Sequence, residues 1–94
     1  MKNTLNVKPS LWEKVMAEYN PKAPTFEEFY NAVEEEIKKD FGNKYKDLAK
    51  NNINGLAVDY RGYLQCFNDG DIDREQFLNA KVWAAVSGLY MFEA

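Results

Sequence analysis

The sequence predicts an all-α fold, a compact bundle of four to five helices with an apolar C-terminal helix at its centre. Three observations predict it: apolar residues recur at intervals of three and four along most of the chain, capping signals stand before those stripes, and no stretch of useful length alternates apolar with polar residues. A chain of 94 residues forms one domain, because a core divides only when it outgrows roughly 250 residues. Residues 1–8 precede the first capping signal and are expected to form a loosely ordered N-terminal arm.

Ser10 and Glu13 have the spacing of a capping box, with Pro9 just before them. Leu11, Trp12, Val15, Met16 and Tyr19 then form the apolar stripe of a first helix. Asn20-Pro21 ends it, since proline disfavours helical geometry in the residue before it. Thr25 and Glu28 repeat the box, and Phe26, Phe29, Tyr30, Val33, Ile37 and Phe41 follow on one face. Glu27 and Glu28 sit at the positive end of this helix dipole and Lys38 and Lys39 at the negative end, with Glu34/Lys38 and Glu35/Lys39 spaced to pair. Gly42 is placed to close the helix in the left-handed conformation.

Between Lys44 and Phe67 the period alone would draw one long helix. Asn51, Asn52 and Asn54 compete for backbone hydrogen bonds, however, and Gly55 costs about 1 kcal/mol relative to Ala. A break is therefore expected within residues 51–54. Asn68-Asp69-Gly70-Asp71 reads as a turn, and Asp73 with Gln76 caps a last helix running to the C-terminus. From Val82 to Phe92 only Ser87 is overtly polar, which suits a helix enclosed by the others, and Ala84 and Gly88 would let a neighbour come close.

Composition restricts the function classes. Six Tyr, six Phe and two Trp are too apolar a set for a disordered chain. A net charge of −3 supplies no basic field for a nucleic-acid backbone or an anionic membrane. The longest apolar stretch, Val82 to Phe92, falls short of the ~20 residues that span a bilayer, and the N-terminus lacks a secretory apolar core. One cysteine, Cys66, forms no intramolecular disulfide, which points to a reducing, cytoplasmic setting.

The chain contains no histidine, so Ser-His-Asp and Cys-His catalysis and the usual zinc sites are excluded. Cys66, beside an apolar stripe, reads as a small packed hydrophobe. The carboxylates Asp69, Asp71 and Asp73 would need a cleft that raises one pKa, for which a helical domain of this size has little room. No enzyme activity, cofactor or metal is therefore expected.

Asp69-Gly70-Asp71-Ile72-Asp73-Arg74-Glu75-Gln76-Phe77 resembles the second half of an EF-hand calcium loop, with Gly70, Ile72 and Phe77 in that family's places. The first and third ligand positions fall on Gln65 and Phe67, and the last on Gln76, so too few anionic oxygens remain to offset dehydration of calcium. A capped turn is the expectation.

Tyr60-Arg61-Gly62-Tyr63 sets residue types enriched at interface hot spots on one helix, and Glu27, Glu28, Glu34, Glu35 and Glu36 make another helix acidic. The leading expectation is accordingly a non-enzymatic protein-protein interaction module, with Tyr60, Arg61, Tyr63, Glu27, Glu28, Glu34 and Glu35 at its binding surface. The partner is another protein or a second copy. In profile (small, acidic, cysteine-poor and helical) the chain is similar to phage-encoded inhibitors of host defence, such as anti-CRISPR proteins. Two alternatives remain: a nucleic-acid-associated regulator using the Lys38–Lys50 region, and a small carboxylate-dependent enzyme or calcium binder using the Asp69–Asp73 turn.

Overall fold

The computed structural model describes residues 3–44 and 47–79, and among these every regular element is a helix. The helices are α1 (Pro9–Glu18), α2 (Phe26–Phe41), α3 (Leu48–Asn51) and α4 (Ile53–Asn68), and a fifth, α5, is described over residues 74–79. The radius of gyration is 12.7 Å, close to the ~12 Å of a compact domain of this length. The expected central helix, Val82 to Phe92, lies outside the described residues.

α1 starts two residues earlier than the Ser10 signal suggests. Pro9 is the first helical residue, where its missing N–H costs nothing, and Lys8 is the N-cap. Ser10 is thus already inside the helix and makes no capping bond, which corrects the expected Ser10–Glu13 box. Entry is fixed instead by the preceding segment. Asn3 brackets Val7, with its Nδ2 donating to the Val7 carbonyl (2.6 Å) and its Oδ1 accepting from the Val7 N–H (2.9 Å). Val7 itself is buried, and the Lys8 N–H donates to Asn54 Oδ1 on α4 (2.9 Å). Residues 3–8 thus hold a local turn of their own and meet the helices through Val7 and Lys8.

The Thr25–Glu28 box forms as expected at the start of α2: Thr25 Oγ1 accepts from the Glu28 N–H (3.1 Å), and Glu28 Oε1 accepts from the Thr25 N–H (3.3 Å). Phe26, Phe29, Tyr30, Val33 and Ile37 are buried on one face, and Gly42, at φ +61°, closes the helix by donating to the Lys38 carbonyl (2.7 Å). The spaced pairs Glu34/Lys38 and Glu35/Lys39 do not form; the ion pairs among the described residues are Arg61–Glu18 and Arg74–Glu28.

The break between α3 and α4 falls at Asn52, whose side chain turns back to the Leu48 carbonyl (3.1 Å) rather than capping α4. α4 is the scaffold against which α1, α2 and α3 pack, with Leu56, Ala57, Tyr60 and Leu64 fully buried. It ends in a Schellman motif. Gly70 adopts φ +81°, its N–H donates to the Phe67 carbonyl (3.0 Å), and the Asp71 N–H reaches the Cys66 carbonyl (2.9 Å). Asp73 then caps α5 in the expected reciprocal box: Gln76 N–H to Asp73 Oδ1 is 2.7 Å, and Asp73 N–H to Gln76 Oε1 is 2.9 Å.

Phe77, one turn into α5, closes the core. Its ring is fully buried between those of Phe29 (6.1 Å), Tyr60 (5.5 Å), Tyr63 (6.0 Å) and Phe67 (6.2 Å), in tilted or edge-on geometries that aromatic quadrupoles favour.

Candidate functional site

The packing divides the expected Tyr60-Arg61-Tyr63 surface, enclosing Tyr60 and leaving Arg61 and Tyr63 partly exposed. Tyr60 is 0% exposed, and its hydroxyl donates to the Pro24 carbonyl at 2.6 Å. Burial, then the fields of Tyr19 and Glu28, push its phenol well above the usual value of 10.0. A ring so enclosed is a core anchor and offers nothing to a partner. Tyr63 is half-buried against Phe29 and Phe77, and burial with Asp59 and Cys66 pushes its phenol up to about 12.

Arg61 serves α1. Its Nε donates to Glu18 Oε2 (2.9 Å), while Gln65 Nε2 donates to Glu18 Oε1 (2.7 Å) and Asn68 Nδ2 to the Glu18 carbonyl (2.9 Å). Asn20 Nδ2 completes the set by donating to Asn68 Oδ1 (3.1 Å). Three side chains of α4 thus satisfy the end of α1, a job the sequence gives no hint of, because Glu18 and Asn68 are far apart in the chain.

The acidic candidates divide by position. Glu27 accepts from the Thr4 hydroxyl, and Glu28 is shared between Thr25 and Arg74 on α5. Burial raises the Glu28 carboxyl, but the Thr25 N–H and the Arg74 guanidinium outweigh it and hold the group below its usual value of 4.5. Glu34 and Glu35 take no part in any hydrogen bond or ion pair among the described residues. Glu35 lies with Glu27, Asn31 and Lys38 on the side of α2 away from Phe29, Val33 and Ile37, while Glu34 is half-buried at the edge of that side, one turn on from Tyr30, whose phenol its field helps to raise. The outward face of α2 is therefore acidic over its first turns and basic at its end.

The Asp69–Asp73 turn is exposed, and its geometry is that of a helix end followed by a helix cap. Gly70 is there to terminate α4, and one Asp73 oxygen is committed to the Gln76 N–H. No group of three metal-ligating side chains converges among the described residues. Lys38, Lys39 and Lys50 are exposed, on two different helices. Among the described residues no helix is long and apolar enough to cross a membrane. Val58 on α4 is the large hydrophobic side chain left most open among the described residues, at 57% exposure.

No protein-family model, curated protein or solved structure matches the chain.

Proposed function

We propose that this protein is a non-enzymatic binding module that docks a partner protein through the outward face of α2 and blocks the surface it covers. The observation that carries the reading is the contrast among its carboxylates. Glu18 and Glu28 are used within the fold, whereas exposed Glu35 and half-exposed Glu34 make no hydrogen bond or ion pair among the described residues. A carboxylate pair on a rigid helix steers and orients a basic surface, and its contribution falls as salt screens it. The partner surface is accordingly basic, and a second copy presenting the same acidic face is disfavoured there. The setting is reducing and cytoplasmic, as Cys66 suggests, and the role is that of a small inhibitor of the phage anti-defence kind.

The test is affinity capture from the native host with the wild-type chain and with Glu34→Lys/Glu35→Lys. The reading requires a captured protein that is lost with the double variant and weakened at higher salt. Equal capture by both chains refutes it.

A further inference from the structure

Asn54-Gly55 is the one Asn-Gly step in the chain, and the fold leaves it open to chemistry that other asparagines here are denied. Both residues are exposed, at the first turn of α4. That turn has no side-chain cap, because Asn52 is committed to the Leu48 carbonyl. The first α-type bond across the junction is Leu56 N–H to the Asn52 carbonyl (3.0 Å), so the Gly55 N–H lies among the orphan donors of a helix start. The nitrogen that must attack is therefore not held by the helical ladder. A Cβ added at Gly55 would meet nothing within 4 Å, so the site is open to solvent, and Gly has the widest backbone freedom. The Asn54 side-chain carbonyl accepts the Lys8 N–H, which draws electron density from its carbon.

We infer that Asn54-Gly55 is a spontaneous modification site, at which the chain deamidates and isomerises through a succinimide. The Gly55 backbone nitrogen attacks the Asn54 side-chain carbonyl carbon. The new N–C bond forms as the bond to Nδ2 breaks, and Nδ2 leaves as ammonia with the proton that Gly55 gives up. Water then adds to either ring carbonyl and opens the ring to aspartate or to isoaspartate. The product carries one more negative charge at the start of α4. Where it is isoaspartate, the main chain gains a methylene at the point where α4 holds Lys8, so the Lys8 contact and the seat of Val7 are disturbed.

The experiment is incubation of the whole chain at neutral and mildly alkaline pH, then tryptic digestion, which frees residues 51–61 as one peptide. Fragmentation locates the amide-to-acid conversion, and isoaspartyl methyltransferase labels the isomerised product. Conversion is expected at position 54 ahead of Asn51 and Asn52 in the same peptide, faster at higher pH, and lost in both Asn54→Gln and Gly55→Ala. Either variant suits a helix, so loss of folding does not confuse the result. Conversion at 54 no faster than at 51 or 52, or an unchanged rate in Gly55→Ala, overturns the assignment.

Discussion

The Tyr60 hydroxyl donates to the Pro24 carbonyl at 2.6 Å, a bond that joins the middle of α4 to the loop entering α2, 36 residues earlier. Removing only the hydroxyl, in Tyr60→Phe, leaves that carbonyl buried without a donor and should cost about 1–3 kcal/mol. Tyr60→Ala also removes the ring contacts to Phe26, Phe29 and Phe77 and should cost roughly 3–5 kcal/mol, much of a small domain's stability. Denaturant unfolding of the two variants separates the hydroxyl from the ring.

The same phenol and that of Tyr63 set an alkaline limit. Both have folded values raised above 10.0, so the unfolded chain releases these protons first as pH rises. Their contribution is complete below pH 10 and is lost above it. Ultraviolet titration should show Tyr60 and Tyr63 ionising late, together with Tyr30, whose phenol burial also raises, and Tyr60→Phe should remove one late proton.

At the acid side the sign is reversed. Glu28 is held below 4.5, so the stability it adds is present above that pH and lost as pH falls through the folded value. Its side chain is 42% exposed, so screening limits the effect to about 1 kcal/mol or less. Glu28→Gln should be less stable than wild type at neutral pH and converge with it in acid, as followed by circular dichroism.

The glycines divide into two classes. Gly55 and Gly62 are helical with open space around the missing side chain, so each change to Ala should stabilise by roughly 0.5–1 kcal/mol. Gly42 and Gly70 have positive φ and end helices, and Ala there should destabilise by about 1 kcal/mol or more. Melting temperatures should move by several degrees in opposite directions.

Asp73→Ala should cost about 1 kcal/mol through the lost cap of α5. Calorimetric titration of the wild type with calcium should show no binding tighter than roughly millimolar, since the Asp69–Asp73 turn is already occupied with ending one helix and starting another. Tight calcium binding would return the EF-hand resemblance to consideration.

Local signals were legible wherever neighbours in sequence decide the structure. Thr25–Glu28, Asp73–Gln76 and the Asn52 break each concern groups within a few residues of one another. Ser10 misled because Pro9 also suits the first helical position, and its preference prevailed. Tyr60 misled for a different reason, and Arg61 has a use within the fold that local pattern does not show. Their residue types suit an interface, but the Pro24 carbonyl and the Glu18 carboxylate that employ them lie 36 and 43 residues away. The outward acidic face of α2 followed from period alone, whereas the internal use of Glu27 and Glu28 depended on Thr4 and Arg74, which no local pattern links to them.

Phe77 gives the chain a direction in time. A ribosome releases residues in order, at about 5–20 per second, and Phe29, Tyr60, Tyr63 and Phe67 all emerge before the ring that fills the space among them. Until then the nascent chain displays an aromatic hollow rather than a finished interior. This core is therefore not filled until residue 77 has emerged, and a chain interrupted before it is a natural client for chaperones and proteases.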